Sequence, residues 1–388
     1  MKNIKLMNKI AAIGTDRLDR AKYNVGEDIA NPDAIMVRSA ALHDLEFNPE
    51  LLAIARCGAG VNNIPIERCS EAGIVVFNTP GANANGVKEL AICALMLAAR
   101  DIAGGMEYVK TLEGTENVAK TVEKGKAAFV GQEIGGKTLG VIGLGAIGGM
   151  VATTATHLNM NVIGCDPYLT VEGAWNLSRN VHKAPTFEAV FKEADYITLH
   201  VPSTPTTKGM INKETIAKMK DGVRILNFAR ADLVNAADLK EALESGKVAA
   251  YVTDFPTEEV IGVKGIVAIP HLGASTEESE DNCAVMAAME LGDYIANGNI
   301  RNSVNFPAVS MPRSSDCRLC VLHKNVPAML TKFTALCSEQ GINIENMTSK
   351  SRGDVAYTML DVAGVPEAES VNLIRDLEEV MRVRVLQF

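Results

Sequence analysis

The sequence lacks any run of about eighteen uninterrupted apolar residues, the length that a membrane-spanning helix needs. It also lacks an excess of positive charge, because 38 Lys and Arg stand against 47 Asp and Glu and the formal net charge is -9. An acidic surface does not attract nucleic acid or an anionic membrane, so neither is expected as a partner. Residues 1–10 carry lysines but no long apolar segment, so we expect no signal peptide and a soluble, cytoplasmic protein.

Histidine is scarce, and the cysteines are not arranged for metal binding. Among the eight cysteines, Cys317 and Cys320 have the spacing of a C-x-x-C pair, with only His323 nearby. A structural zinc site needs a second pair or a histidine cluster, so no metal is expected. Reduced thiols in a cytoplasmic protein are the preferred interpretation.

A chain of 388 residues is long for one hydrophobic core, so two or three domains are expected. Short apolar strands alternate with helical segments up to about residue 100 and again from 137 to 278, which is typical of parallel α/β sheets. We predict two doubly wound, Rossmann-like domains, a discontinuous one of residues 1–100 and 279–308 and an inserted one of residues 101–278. A long helix over 276–296 returns the chain to the first domain.

The residues from 314 onward follow a different order of elements. Strands and helices are predicted at 317–322, 327–340, 342–350, 355–362, 368–381 and 383–388. This βαββαβ order predicts a small ferredoxin-like module over 314–388, preceded by a linker with two prolines. We identify no catalytic group in it.

The central motif of the chain is a glycine-rich turn that follows the predicted strand 138–142. Gly143, Gly145 and Gly148 have the spacing G-x-G-x-x-G. In such a turn the first glycine permits the sharp bend, the second lets the backbone approach a pyrophosphate, and the third lets the helix pack closely on the sheet. The start of that helix offers free N–H groups to phosphate. The motif therefore predicts a dinucleotide site.

The acid that completes this motif is Asp166, which follows the next predicted strand, 161–165. A carboxylate at this place accepts from the hydroxyls of the adenosine ribose and repels a 2′-phosphate. No arginine follows it immediately. NAD is therefore predicted rather than NADP. The positions predicted to contact it are Gly143, Gly145, Ala146, Ile147, Gly148, Asp166, Pro167, His200, Val201, Pro202, Thr207, Asn227, Ala229, Asp254 and Gly273.

Hydride transfer from an alcohol to NAD requires a base for the hydroxyl proton and a cation that orients the substrate. His271, at a predicted strand tip, is the best placed of the six histidines, although a purely structural histidine is as compatible with the sequence. Arg230, at the end of the strand predicted over 223–228, is the candidate cation. Glu258 or Glu259 would hold the imidazole of His271.

The motifs GVIGLGAIG with Asp166, LHVP at 199–202, NFAR at 227–230 and PHLGAS at 270–275 resemble the D-isomer-specific 2-hydroxyacid dehydrogenase family. The resemblance covers essentially the whole chain and implies a catalytic Arg, Glu and His. The arginine and histidine match Arg230 and His271. The glutamate is Glu259 if residues are counted without a gap from Arg230, and Glu258 if the phenylalanine is aligned; we prefer Glu259.

Three further motifs, VRSA at 37–40, RCGAGVNNI at 56–64 and FNTPGANANGVKEL at 77–90, resemble family members that oxidise 3-phospho-D-glycerate to 3-phosphohydroxypyruvate, the first step of L-serine biosynthesis. The resemblance implies that Arg38, Ser39 and Asn83 hold the phosphate and carboxylate of this substrate. A bidentate arginine suits such an anion.

The C-terminal module resembles an ACT regulatory domain through HKNVP at 323–327 and GINI at 341–344. The resemblance implies that His323, Asn325 and Asn343 bind L-serine between subunits. Ala328 stands where a glycine is usual. The family also implies a homodimer or a homotetramer.

Two other functions remain open from the sequence. One is a dehydrogenase or reductase of another 2-hydroxy acid, such as glyoxylate or hydroxypyruvate. The other is a non-enzymatic, NAD-sensing protein of the corepressor type. The ACT-like module argues against both.

Overall fold

The computed structural model describes residues 1–388, and the chain folds into two compact units. The first consists of Met1–Asn83 and Glu280–Phe388, and the second of Ala84–Ser279. Residues 84–99, which the sequence analysis places in the first domain, form a helix whose apolar side chains lie in a core of the second unit.

The first unit contains a five-stranded parallel sheet with the strand order β2-β1-β3-β4-β5. Its central strands are continuous apolar runs because both faces of a parallel sheet are covered. The strand order reverses between β1 and β3, which places a ligand crevice at the carboxyl ends of these two strands. The elements are β1 (Lys2–Met7), α1 (Ala12–Thr15), β2 (Tyr23–Gly26), β3 (Ala34–Val37), β4 (Ala53–Arg56), α2 (Ile66–Glu71) and β5 (Val75–Phe77).

The second unit contains a seven-stranded parallel sheet with the order β12-β11-β10-β9-β6-β7-β8. Its order reverses between β6 and β9. The elements are α3 (Ala84–Ala99), α4 (Ile102–Lys110), α5 (Val118–Gly125), β6 (Thr138–Ile142), α6 (Ala146–His157), β7 (Asn161–Cys165), α7 (Val171–Trp175), β8 (Val181–Lys183), α8 (Phe187–Glu193), β9 (Tyr196–Leu199), α9 (Lys213–Ala217), β10 (Val223–Asn227), α10 (Ala236–Glu244), β11 (Val248–Thr253) and β12 (Ile266–Ala268). Short 3₁₀ helices cover Lys126–Phe129 and Ala231–Leu233.

Helices cover both faces of this second sheet. Ala91 of α3 and Val151 of α6 belong to the core on one face, and Val190 of α8 and Leu239 of α10 belong to the core on the other. The arrangement confirms the prediction of two doubly wound, Rossmann-like sheets. No helix in the structure combines the length and the apolar composition that crossing a membrane requires.

The chain then enters α11 (Glu277–Asn297) and ends in a four-stranded antiparallel sheet with the order β14-β15-β13-β16. Its elements are β13 (Cys317–Lys324), α12 (Met329–Glu339), β14 (Ile344–Arg352), β15 (Val355–Val362), α13 (Ala368–Arg375) and β16 (Val380–Gln387). The predicted βαββαβ order is confirmed. The predicted end of its second helix at residue 381 is wrong, because Val380 already pairs with His323 of β13.

The two faces of the four-stranded sheet contact different cores. Leu319 packs with Phe333 of α12 on one face, whereas Cys320 packs with Tyr294 and other core residues of the first unit on the opposite face. Cys317 and Cys320 therefore point to opposite faces of β13, as residues three apart in a strand must. No group of three or more His, Cys, Asp or Glu side chains is placed to hold a metal ion.

Side chains on the face of this sheet that carries Cys320 donate hydrogen bonds to the C-terminal end of α11. Arg318 Nη1 donates to Asn297 O at 2.8 Å, and Tyr357 Oη donates to Gly298 O at 2.6 Å. Arg384 donates to the carbonyl oxygens of Tyr294 and Ile295. The last carbonyls of a helix have no partner within it, so these side chains supply the donors that the helix end lacks.

Arg318 itself is held by Asp361, at 2.5 Å from Nε and 2.9 Å from Nη2, and both side chains are fully buried. Burial acts to raise the pKa of Asp361, but hydrogen bonds from Arg318 and Ser314 outweigh it and hold that pKa below its ordinary value. Asp361 is therefore charged at neutral pH, and the pair is a bidentate salt bridge.

Replacing Asp361 by Asn would leave the Arg318 guanidinium without its counter-charge in a dry site. Removing one partner of a buried pair costs about 3–5 kcal/mol, so the midpoint of urea unfolding should fall markedly. Glu379→Gln is the control within the same module, since it removes the solvent-accessible ion pair with Lys332. Equal midpoints for the two variants would contradict the role given to the buried pair.

Candidate active site

The glycine-rich turn lies where the strand order of the second sheet reverses. Gly143 has a φ of 89°, and a Cβ added there would lie 2.5 Å from His200 O at the tip of the neighbouring strand. A Cβ on Gly148 would lie 1.9 Å from Gly143 O. The first and third glycines are therefore required by the close approach of backbone to backbone.

The second glycine leaves space instead. A Cβ on Gly145 would meet no atom within 4 Å, and its φ of -67° is accessible to any residue. Gly145 is the N-cap of α6 and offers no side-chain acceptor, so the first N–H groups of the helix, at Ala146, Ile147 and Gly148, point to this space. Such a helix start is suited to phosphate.

Asp166 borders the same space, at the end of β7. Its Oδ2 accepts from Leu144 N and its Oδ1 from Tyr168 N, both at 2.9 Å, so the carboxylate is fixed in orientation while each oxygen retains a lone pair. With Gly145 and Ala146 it lines a cavity of about 740 Å³. Pro167 continues the turn after it. These residues fit a dinucleotide, whose pyrophosphate needs the open cradle and whose ribose needs the acid.

The loop after β9 forms the other side of the reversal point. His200 Nε2 lies 2.9 Å from Thr198 Oγ1, while Nδ1 is buried without a partner. Burial lowers the pKa of His200 to about 4, so this ring is neutral at pH 7 and is not suited to general acid–base catalysis. Thr207 Oγ1 donates to Pro202 O at 2.6 Å and closes the loop that follows Val201.

Asn227 shapes the turn that carries Arg230. Its fully buried side chain accepts from Ala229 N and Arg230 N, and donates to Arg230 O at 2.8 Å and Tyr251 Oη at 3.0 Å. Every hydrogen-bonding group of the Asn227 amide is thus used within the protein. Arg230 Nη1 donates to Ala229 O at 2.7 Å, which leaves the remaining guanidinium N–H groups for a ligand.

The aromatic ring of Phe255 lies beside two of the three predicted catalytic side chains. The rings of Phe255 and His271 lie 4.6 Å apart, and the Arg230 guanidinium carbon lies 6.0 Å from the Phe255 centroid. His271 is exposed, and its ring nitrogens make no hydrogen bond. The structure therefore brings Arg230 and His271 together around one ring. The sequence analysis uses Phe255 only as an alignment marker and misses this contact.

Asp254 lies beneath this group and is only 1% exposed. Its Oδ2 accepts from Gly273 N at 3.0 Å, while its Oδ1 is buried without a partner. Burial raises the pKa of Asp254, and the nearby charges of His271 and Arg230 oppose that rise. Asp254 Oδ1 therefore keeps an unused acceptor.

The two candidate glutamates have no partner in this structure. Glu258 and Glu259 lie in the turn after Phe255, both are exposed, and neither makes a hydrogen bond or an ion pair. The geometry therefore does not choose between them as the partner of His271.

In the first unit, Arg38 and Ser39 follow β3 at the point where that strand order reverses. Asn8, which directly follows β1 and has a φ of 73°, accepts from Ser39 N and Ala40 N through its Oδ1 and so fixes this loop. Arg38 forms an ion pair with Glu280 and remains partly exposed. The sequence analysis missed Asn8, for which an asparagine directly after a strand, a residue tolerant of positive φ, is the available signal.

Arg56 is a second cation at the carboxyl edge of the five-stranded sheet. Its role is not predicted from the sequence. It ends β4, opposite Val37 in the register, and its Nε is buried without a partner. Its guanidinium lies over Gly58, where a Cβ would come 1.3 Å from Nη1. Burial lowers the pKa of Arg56, as expected for a cation that lacks a counter-ion here. Asn83 lies half-buried at the end of the segment after β5.

The residues predicted to bind serine differ in their accessibility. His323 is 3% exposed, with Nε2 at 2.9 Å from Thr358 Oγ1 and Nδ1 at 2.8 Å from Lys324 O. Asn325 is exposed and donates to Gly353 O, and Asn343 is exposed. Ala328 has a φ of 67°, a left-handed conformation that explains why glycine suits this position.

Comparisons with known proteins identify relatives along the chain. Residues 93–273 match the family model described as D-isomer specific 2-hydroxyacid dehydrogenase, NAD binding domain. The D-3-phosphoglycerate dehydrogenase of Bacillus subtilis is 37% identical over 311 residues, 77% of this chain and 57% of that protein. D-3-phosphoglycerate dehydrogenase 1 of Saccharomyces cerevisiae is 30% identical over 380 residues, 91% of this chain and 77% of that protein. The chain thus spans little more than half of the bacterial relative and most of the yeast one.

Solved structures share the fold. The NAD+-bound 3-phosphoglycerate dehydrogenase of Entamoeba histolytica matches with a TM-score of 0.61 at 28% identity, over 78% of this chain and 98% of that one. A D-2-hydroxyisocaproate dehydrogenase matches with a TM-score of 0.65 at 20% identity, over 79% and 100%. The match to an NAD binding domain, together with the open cradle at Gly145, assigns NAD to the second unit.

Gly145 and Gly148 should respond differently to alanine. Gly145→Ala fills only the space for the pyrophosphate, so the protein should keep its melting temperature while its affinity for NADH falls by about tenfold or more. Gly148→Ala forces a side chain against backbone and should destabilise the fold by about 1–3 kcal/mol. NADH fluorescence titration and thermal melting measure the two effects. Normal NADH affinity in Gly145→Ala would contradict the cradle.

Proposed function

Because the chain belongs to the family of D-isomer-specific 2-hydroxyacid dehydrogenases, we propose that it oxidises 3-phospho-D-glycerate to 3-phosphohydroxypyruvate with NAD, the first step of L-serine biosynthesis. The observation that carries the proposal is the exposed imidazole of His271, with both ring nitrogens free, beside Arg230 and Phe255. The names of the bacterial and yeast relatives support this substrate over other 2-hydroxy acids.

In the proposed reaction, a ring nitrogen of His271 accepts the proton of the C2 hydroxyl. Arg230 donates to the substrate carboxylate and to the oxygen at C2, which becomes the carbonyl oxygen of the product. Held at the glycine-rich turn and Asp166, NAD would supply the acceptor for the hydride of C2. One proton and one hydride therefore leave the alcohol and a ketone remains. Phe255 lies beside the imidazole of His271 and the guanidinium of Arg230 as an uncharged neighbour of both.

The substrate carries a phosphate besides its carboxylate, and we propose further side chains that hold these anionic groups together with Arg230. Arg38, Ser39 and Asn83 are the positions implied by the family resemblance, and Arg56 adds a guanidinium whose Nε has no partner within the protein. A buried donor without an acceptor gains more from an anion than a solvated one does, since it loses no hydration on binding.

His271→Ala should lower kcat by at least about a hundredfold while NADH binding stays normal, because the ring removes a proton and lies away from the glycine-rich turn. The assay follows NADH formation at alkaline pH with 3-phosphoglycerate, and with lactate, glycerate and no substrate for comparison. Unchanged turnover in His271→Ala would refute the assignment, and a faster reaction with lactate or glycerate would refute the substrate.

We propose Glu259 as the partner that stabilises protonated His271, with Glu258 as the alternative. Parallel Glu258→Gln and Glu259→Gln variants form a matched pair, since both side chains are exposed and lie in the same turn. The partner is identified by the variant whose kcat is lower and whose pH–rate profile is shifted on its acidic side.

We further propose a cytoplasmic homodimer or homotetramer. Helices α4 and α5 of the second unit bury none of their residues, and Ile102, Met106, Val109 and Val118 on them are exposed. Apolar side chains at this density on unburied helices are typical of a surface that a second subunit covers.

Residues 314–388 are proposed to act as an ACT-type regulatory domain that binds L-serine. The exposed amides of Asn325 and Asn343 are the accessible members of the expected site, whereas both ring nitrogens of His323 are already paired. In this proposal His323 positions β13 and the two asparagines contact the ligand.

L-serine should therefore lower the rate and raise the melting temperature, and Asn343→Ala should abolish both effects without changing the uninhibited rate. D-serine is the control for a specific site. The absence of any L-serine effect on rate or melting would remove the regulatory proposal and would leave the catalytic one untouched.

A further inference from the structure

The first unit contains a cavity of about 670 Å³. None of the residues discussed above lines it. It lies between α11 and the turn at Gly81 and Ala82. Val285, Met286 and Met289 give it an apolar wall, and Met289 is 61% exposed although it lies on a helix whose opposite face is core. The charged side chains that line it are Glu290, Asp293 and Arg301.

Glu290 is the unusual member of this lining, because it is a carboxyl group only 8% exposed. Its Oε1 accepts from Asn302 Nδ2 at 2.5 Å, but its Oε2 is buried and has no partner. Burial raises the pKa of Glu290 to about 7, against the opposing effects of Asn302 and Arg301. A buried carboxylate oxygen without a donor is costly, and such groups in folded proteins generally find a partner.

The surrounding charges favour a cationic partner. Asp293 accepts from the side-chain amides of Asn297 and Asn299, and its Oδ2 lies 4.0 Å from Arg301 Nε. Arg301 is largely exposed at the rim and does not reach Glu290 with a hydrogen bond. Once Glu290 is ionised, two carboxylates against one arginine leave a net negative charge around a partly apolar space.

We propose that this cavity binds a small apolar ammonium compound, whose NH₃⁺ group donates to Oε2 of Glu290 and whose alkyl chain lies against Met286 and Met289. Simple alkylamines and apolar amino acids share this chemistry. Amino acids carry a carboxylate that simple alkylamines lack. Arg301 at the rim of the cavity is the available partner for this carboxylate. The proposal does not depend on the dehydrogenase function.

Isopentylamine, L-leucine and isopentyl alcohol have the same branched alkyl chain and distinguish these possibilities. The test titrates each into the full-length protein carrying ¹³C-methyl methionine, with Met286→Leu and Met289→Leu used to assign the two signals. Isopentylamine should shift both signals saturably, with a Kd on the order of 1 mM, as expected for so small a ligand. The alcohol should bind at least about tenfold more weakly, since it brings no charge to Glu290.

Ammonium binding should strengthen about tenfold between pH 6 and pH 8, because Glu290 loses its proton over this range while the amine stays charged. Glu290→Gln should remove both the preference for the amine and this pH dependence. Glu278→Gln, which removes the same charge from an exposed position of α11, is the control. If L-leucine binds more tightly than isopentylamine, and Arg301→Gln removes this difference in affinity, the ligand is an amino acid. If isopentylamine binds more tightly, the ligand is a simple amine.

Equal affinity for the amine and the alcohol in the wild-type protein, or no saturable shift with either ammonium compound, would overturn the proposal. Both comparisons use the unaltered chain, so they stand even if Glu290→Gln fails to fold.

Discussion

The last carbonyl groups of α11 have no partner within the helix and need donors from elsewhere in the protein. The four-stranded sheet provides them through Arg318, Arg384 and Tyr357. Asp361 neutralises Arg318 at a site where both side chains are fully buried. The C-terminal sheet is consequently part of the structural core of the first unit, and its βαββαβ order does not make it a loosely attached module.

Two reversals of strand order create the functional edges of the two units. Each places polar residues from neighbouring strands side by side, and each is held by a backbone feature. In the second unit, Gly143 permits contact with the carbonyl of His200. In the first, Asn8 adopts a positive φ and holds the loop of Ser39. A dinucleotide must bind at the same turn that the close packing of the second sheet requires. The proposed reaction therefore depends on the close approach at Gly143.

Much of this was accessible from the sequence, because apolar periodicity and glycine spacing are local. The strand 138–142 and the acid Asp166 follow from such local signals. Phe255 could not be found this way, since its contacts with Arg230 and His271 join three separate loops. The end of α13 was missed because pairing of Val380 with β13 overrides the helical pattern of that segment.

The ion pair between Arg38 and Glu280 and the carbonyl contacts at residues 294–298 lie at opposite ends of the part of α11 that belongs to the first unit. This part, Glu280–Asn297, is about 27 Å long, and each residue turns the helix by about 100°. Inserting or deleting one residue between these ends would rotate one set of contacts away from its partners. The length of α11 is therefore fixed by geometry, and evolutionary insertions in this region are expected in the loops on either side.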